Sequence, residues 1–253
     1  MKVGVICPVR NARPWIDEFI GSVRVQTYPT GLYLAEDLSD DGTYKYLRKH
    51  PHLYTRLVRN RSRAGWPGGL NRAAELALAD GCDAVFTASA DDKLHPECVQ
   101  RCVAALNGRD FVVPYAQQFG AAHHVQGSLE DQTLDDLAVW PLLIDKGLFT
   151  RHLWETVGGY SVEAMIPGSW GCAEDWEFWI KVWKAGLTRY TVVRKPLYFV
   201  RVHPGQLSDR RGEFHARSVD RLSEMHPDLP WSPTSWTWPP AHRIIHRAEE
   251  EDR

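Results

Sequence analysis

Two carboxylates stand side by side in the stretch Asp83–Pro96, DAVFTASADDKLHP, which starts as a short apolar strand at Ala84, Val85 and Phe86 and then delivers Asp91 and Asp92 into a loop. Like charges repel and neither can be buried unpaired, so this pair calls for a positive guest, and a divalent cation held by hard oxygens is the natural one. A second chemically rich stretch, Ile166–Trp179, sets Glu174 and Asp175 at the mouth of an amphipathic helix whose apolar face is Phe178, Trp179, Val182 and Trp183. Acids in a first helical turn are favoured by the helix dipole whatever else they do, so position alone leaves both a structural and a catalytic reading open. Further acids fill the loop Glu36–Thr43, with Asp37 just past a strand end. His203 sits in a His-Pro step after a strand, which taken alone reads as a turn. His123-His124 could ligate a metal, but the neighbouring Gly, Ala and Gln residues supply no further ligand, so this is read as a flexible loop facing an acceptor. Arg59, Arg61 and Arg63 read as a solvated face, and together with Arg72 they rank low as anion contacts.

The elements that must position these groups alternate in type. The residues from Val3 to Cys7 read as a buried strand, broken by Pro8-Val9-Arg10-Asn11-Ala12 and followed by a helix near Trp15–Val23 with apolar residues three and four apart. Strands follow at Leu32–Ala35 and Thr55–Val58, with a helix at Tyr44–Lys49 between them. A basic, glycine-containing loop over Arg59–Leu70 leads into a helix at Asn71–Ala79. Beyond Pro96 the pattern gives a helix Glu97–Leu106 with Cys98 and Cys102 packed on one face, a strand Phe111–Tyr115, a strand Val139–Ile144 and a helix Lys146–Val157. Strands at Thr191–Val193 and Leu197–Val202 and a polar helix near Glu213–Met225 complete the series. Strands alternating with helices predict an α/β fold, a mostly parallel central sheet with helices on both faces, in which ligands collect at the carboxyl ends of strands. Asp37 and Asp91 should then face one crevice.

With 253 residues the chain can bury a full core as one domain, expected over 1–226 in two halves, about 1–96 and about 97–226. The remaining 227–253 read as a Pro/Trp-rich strap with Trp231, Trp236 and Trp238, then a short charged helix. A net charge of −2 argues against non-specific nucleic-acid binding. The five cysteines, Cys7, Cys82, Cys98, Cys102 and Cys172, form no CxxC pair, which excludes a zinc ribbon or disulfide framework and fits reduced thiols in a cytoplasm. No apolar run near the N-terminus is long enough for a signal peptide or a membrane span.

The order of motifs resembles the family-2 glycosyltransferases of the GT-A fold, a Rossmann-like sandwich. The segments that carry the resemblance are Pro8-Val9-Arg10-Asn11-Ala12; the acidic loop Glu36–Thr43; Arg59-Asn60, Gly65 and Asn71; Ser89-Ala90-Asp91-Asp92 in the place of a D-x-D loop; Gly158-Gly159-Tyr160; Glu174-Asp175; and Arg201-Val202-His203 with Ser208. Together they cover roughly residues 3–208. The resemblance implies an inverting transfer of a sugar from a UDP-, GDP- or TDP-linked donor to the hydroxyl of a glycan, protein or small molecule. It implies Asp175 as general base beside Glu174, and Pro8, Asn11, Asp37, Asn71, Ser89, Ala90 and Asp91 around the donor. It also implies Mn²⁺ or Mg²⁺ on Asp91, Asp92 and His203. The chain departs from the family where Ser89 replaces the first aspartate of D-x-D, so the metal rests on fewer charges. Three alternatives share this kind of sheet: a sugar nucleotidyltransferase, which wants a glycine-rich loop after the first strand; a binding module without catalysis, which would tolerate loss of Glu174-Asp175; and a glycosyltransferase acting on nucleic acid, which differs only in acceptor and against which the near-neutral charge argues.

Overall fold

In the computed structural model the chain runs β1 (Val3–Val9), α1 (Ile16–Arg24), β2 (Thr30–Glu36), α2 (Thr43–Lys49), β3 (Arg56–Arg59), α3 (Gly65–Ala79), β4 (Ala84–Thr87), β5 (Lys93–Leu94), α4 (Cys98–Leu106), β6 (Phe111–Gly120), β7 (Val125–Gln126), α5 (Leu134–Leu137), β8 (Leu148–Thr150), α6 (Arg151–Val157), α7 (Glu174–Lys184), β9 (Tyr190–Val202) and α8 (Arg211–Met225). The structure describes residues 1–128, 130, 132–138, 145–166, 173–204, 206 and 211–231. The expected strand Val139–Ile144, Cys172, Ser208, Trp236, Trp238 and the terminal charged helix lie outside them.

Every residue of β1 is buried, and its side chains alternate between two apolar layers. Val3, Val5, Cys7 and Val9 pack with Ile16, Phe19, Ile20 and Val23 of α1 and with Cys98, Val99 and Cys102 of α4. On the opposite face Ile6 packs with Ala73, Ala74 and Ala77 of α3, and the same layer continues into Trp154 of α6 and Phe178, Trp179 and Trp183 of α7. Each fully buried large apolar side chain contributes roughly 1.5–3 kcal/mol, so two such layers outweigh any local preference of the connecting segments.

The strands form one sheet in the order β3-β2-β1-β4-β8-β6-β9-β5, with β7 attached to β6. β1 pairs in parallel with both β2 and β4, β2 with β3, and β6 with β9, whereas β8 runs antiparallel between β4 and β6. The sheet is therefore mostly parallel and covered by helices on both faces, as the alternation of elements predicts. Among the described residues no helix is long and apolar enough to cross a membrane.

Three boundaries differ from the expectation. α3 starts at Gly65, within the stretch expected to be a loop. Pro67 is harmless in a first helical turn, where its missing N–H has no partner to lose, and the glycines serve contact. A Cβ on Gly69 would lie 2.6 Å from the Cβ of Pro8, so α3 presses directly on the end of β1. The segment from Lys146 is not helical throughout: Leu148–Thr150 pairs as β8, and helix begins only after Thr150, whose hydroxyl accepts from Leu153 N at 3.2 Å as an N-cap. Finally, the two expected C-terminal strands are one long strand, β9, whose register against β6 shifts around Tyr115.

Candidate functional site

β4 ends at Thr87, and the acid loop follows it at the carboxyl end of the parallel strands. The short β5 pairs antiparallel with β9, Lys93 opposite Phe199, which brings the acid loop beside the end of β9. Asp92 turns inward and is only 4% exposed. Its Oδ2 accepts from the Tyr198 hydroxyl at 2.8 Å and its Oδ1 from Arg201 N at 2.8 Å. Burial, and then the Asp91 charge beside it, push the Asp92 carboxyl up to about 8. Ser89 joins the same network, its N–H donating to the Tyr198 hydroxyl at 3.0 Å, and Ala90 is packed in the core.

Asp91 points the other way. Its Oδ2 lies 3.3 Å from His203 Nε2, with both side chains partly exposed. The His203 Nδ1 is 3.0 Å from the Pro204 carbonyl, which can only accept, so in the neutral ring Nδ1 carries the proton and Nε2 presents a lone pair toward the carboxylate. Two acceptors facing each other at this distance want a cation between them, either a proton on the imidazole or a metal. Trp15 lies against His203 at 5.2 Å between ring centroids, and the Arg201 guanidinium lies over Trp15 at 4.5 Å and over Phe119 at 4.4 Å. Arg201 Nε also donates to the Asp91 carbonyl at 2.8 Å and its far end pairs with Glu18 of α1. Thus of the three expected metal ligands, Asp91 and His203 come together and Asp92 does not join them, because both its oxygens are engaged inside. Among the described residues no group of three or more His, Cys, Asp or Glu side chains forms a metal cage. The pair still fits a divalent ion that shares a carboxylate and an imidazole with ligand oxygens, a donor set suited to Mn²⁺.

The neighbouring loops are held by side chains that cap backbone groups. Asp37, 3% exposed, accepts from Asn60 Nδ2 at 2.8 Å, Ala64 N at 2.8 Å and Gly65 N at 3.1 Å, so it fixes the start of α3 against the end of β2. Asn11 stands at a φ of 47°, a left-handed conformation that asparagine tolerates, with its Oδ1 accepting from Asp40 N and its N–H donating to Ser39 Oγ, each at 3.0 Å. Pro8 is the wall on which Gly69 packs. Asn71, expected around the donor, bonds to the backbone of Tyr160: its Nδ2 donates to the Tyr160 carbonyl at 2.7 Å and its Oδ1 accepts from Tyr160 N at 2.8 Å. Both polar atoms of its side chain are thereby occupied in tying α3 to the Gly158-Gly159-Tyr160 turn. Arg72 pairs with Glu75 on the exposed side of α3.

The Glu174-Asp175 pair divides in the same way as Asp91-Asp92. Glu174 is 2% exposed and its Oε2 accepts from Ala173 N at 3.2 Å, whereas Asp175 is only half-buried. Facing them is a residue that sequence reasoning did not single out, Lys146, 7% exposed just before β8 and paired with Asp145. Burial alone would lower the pKa of its ammonium, but the charges of Asp145, Asp175 and Asp92 outweigh this and raise it. Tyr160 completes the wall: burial, then Asp175, Asp145 and Glu174, push its phenol well above the usual range. Four carboxylates from three separate segments, Asp91-Asp92, Asp145 and Asp175, thus converge on one sheet end with a lysine among them. The signal that could have found Lys146 is Asp145-Lys146-Gly147 itself, a charged pair ahead of an apolar triplet too short to be a helix turn.

Residues 4–130 match the family described as Glycosyl transferase family 2. Among solved structures the chain is similar to TarS of S. aureus, at 17% identity and a TM-score of 0.63 over 88% of this chain. It spans 44% of that protein's length. It is also similar to residues 1–349 of TarS in complex with UDP-GlcNAc, at 17% identity and a TM-score of 0.66 over 88% of this chain and 67% of that one. A mannosyltransferase from Pyrobaculum calidifontis, in complex with GDP-Man and Mn²⁺, matches at 19% identity and a TM-score of 0.64 over 92% of this chain and 66% of that one. At these identities the likeness shows the fold, which is GT-A. No curated protein matches the sequence.

Proposed function

From the premise that the chain belongs to glycosyl transferase family 2 and is a glycosyltransferase, we propose that it moves a sugar from a nucleoside-diphosphate donor to an acceptor hydroxyl by one in-line displacement. Asp175 takes the proton of the attacking hydroxyl, the new bond forms at the anomeric carbon, and the bond to the diphosphate breaks with its electron pair leaving on the nucleoside diphosphate. Attack from the Asp175 side, opposite the acid loop, inverts the anomeric centre. The observation that carries this reading is the convergence of Asp175, at the start of α7, with the Asp91 loop, at the end of β4, around Lys146. That the S. aureus neighbour holds UDP-GlcNAc and the Pyrobaculum neighbour holds GDP-Man supports a nucleotide sugar as donor.

Asp91 and His203 would hold a divalent ion, Mn²⁺ or Mg²⁺. When bound there it would act as a Lewis acid that neutralises the leaving diphosphate. Arg201, clasped between Trp15 and Phe119, holds the Asp91 backbone in place for this. Asp37 and Asn11 keep the loops after β2 and β1 in the shape that a nucleoside would meet.

The test is Asp175→Asn, read by transfer rate and by calorimetric donor binding in parallel. Transfer should fall by roughly 10²–10⁴-fold with donor affinity retained. Intact transfer would remove Asp175 as the base.

A further inference from the structure

Lys146 is the only buried lysine among the described residues. Because β8 runs antiparallel to β4, with Phe86 opposite Leu148, the start of β8 lies beside the end of β4, and Lys146 enters the site exactly where the acid loop leaves the sheet. Thr87 clamps that corner: its hydroxyl donates to the Asp145 carbonyl at 2.7 Å and accepts from Gly147 N at 3.2 Å, and its own N–H donates to the Gly147 carbonyl at 3.0 Å. The ammonium pairs with Asp145 and lies 4.7 Å from the centroid of the Trp66 ring. Trp66 meets Tyr160 edge-on at 5.1 Å, and Tyr160 stacks on Phe178 at 4.3 Å, one turn along α7 from Asp175. A rigid set of rings therefore fixes the distance between Lys146 and the first turn of α7.

We propose that Lys146 is a positioning residue for transfer, a fixed internal cation shared by Asp145 and Asp175 that keeps Asp175 ionised and ready to take the acceptor's proton. The inference rests on Asp175 being the base. The charged and titratable groups around the two residues include Asp145 before β8, Glu174 on α7, Tyr160 after α6, Asp91 and Asp92 after β4 and Cys7 of β1. Glu174 is held by Ala173 N, and Asp92 by Tyr198 and Arg201 N. Lys146 is the buried cation common to Asp145 and Asp175. Removing it leaves neighbouring carboxylates to repel one another in a site poor in water, and the cheapest relief is for one to take up a proton. Where Asp175 takes it up, that proton sits where the acceptor's proton must go.

The experiment is the pH dependence of kcat/KM for turnover of UDP-GlcNAc or GDP-Man with Mn²⁺, water serving as acceptor, in the full chain and in Lys146→Met, Lys146→Arg, Asp145→Asn and Asp175→Asn. In Lys146→Met the acidic limb should move up by about one pH unit or more, so that activity at pH values on that limb falls about tenfold and recovers at higher pH. Lys146→Arg should restore the original limb, and Asp145→Asn, which removes a competing carboxylate, should move it down. A Lys146→Met enzyme that is slower by one factor at every pH, with its limb unmoved, would overturn the proposal. If Lys146→Met does not fold, Asp145→Asn decides alone: a downward shift supports the shared cation and an unmoved limb overturns it. Asp175→Asn separates the two levels. If it turns over normally, the base assignment falls and this inference with it; if it is inactive while Lys146→Met keeps its limb, only the role of Lys146 falls.

Discussion

On the wall built by the loops after β1 and β2, side-chain oxygens are aimed at backbone N–H groups: Asp37 at Ala64 and Gly65, Asn11 at Asp40, and Asp41 at Arg13 and Thr43. On the wall built by β8 and α7, carboxylates gather round one lysine that lies against the Trp66 ring, and aromatic packing joins that lysine's surroundings to α7. The first wall takes its shape from hydrogen bonds that each span a few tens of residues at most. The second takes its shape from packing, since Phe149, Trp154, Phe178 and Trp179 contact one another at centroid distances of 5.5–6.3 Å. A glycosyltransferase site can thus join a wall that is capped and polar to one that is packed and charged, each stabilised by different physics.

That contrast can be broken from either side. The largest effect should come from Trp179→Ala, since Trp179 is fully buried against Phe111, Phe149 and Phe178. Truncating such a side chain costs about 3–5 kcal/mol, and urea unfolding should show it as a lowered midpoint. Asp37→Ala should be milder, about 1–3 kcal/mol, because it strands the N–H groups of Ala64 and Gly65 and the Asn60 amide in a buried place. Its sharper signature should be weaker donor binding with little change in the pH profile, the reverse of what Lys146→Met should give. Arg72→Ala should change stability by less than about 1 kcal/mol, since its pair with Glu75 is about half exposed on both sides. A large loss there would mean that the outer face of α3 carries more than a solvated ion pair.

The capped wall was the more legible in the sequence, for a physical reason. Pro8 lies near the end of β1, and Asn11, Asp37 and the acids after β4 lie in loops that follow directly from apolar strands, so strand periodicity and turn chemistry place them at one sheet end together. The sheet class, the apolar face of α7 and the packing of Cys98 and Cys102 followed from periodicity in the same way. What periodicity could not reveal was which member of an acidic pair faces the crevice. Asp92 turns inward only because Tyr198 and Arg201, more than a hundred residues away, supply donors there. The glycines of α3 were misleading for a related reason: Gly69 is required by the close approach of Pro8 and not by a loop, which only the tertiary contact discloses. The bond of Asn71 to the backbone of Tyr160 is likewise disclosed only by the tertiary contact. Lys146 escaped notice because its importance lies in the company of Asp145 and Asp175 across two elements.

In the proposed mechanism Asp175 and the Asp91 loop work from opposite sides of one anomeric carbon. Proton NMR of the freshly transferred sugar, taken before mutarotation, reads this directly from the anomeric coupling. The predicted result is the configuration opposite to that of the donor; a product that keeps the donor's configuration would contradict the placement of the base and the leaving group on opposite sides.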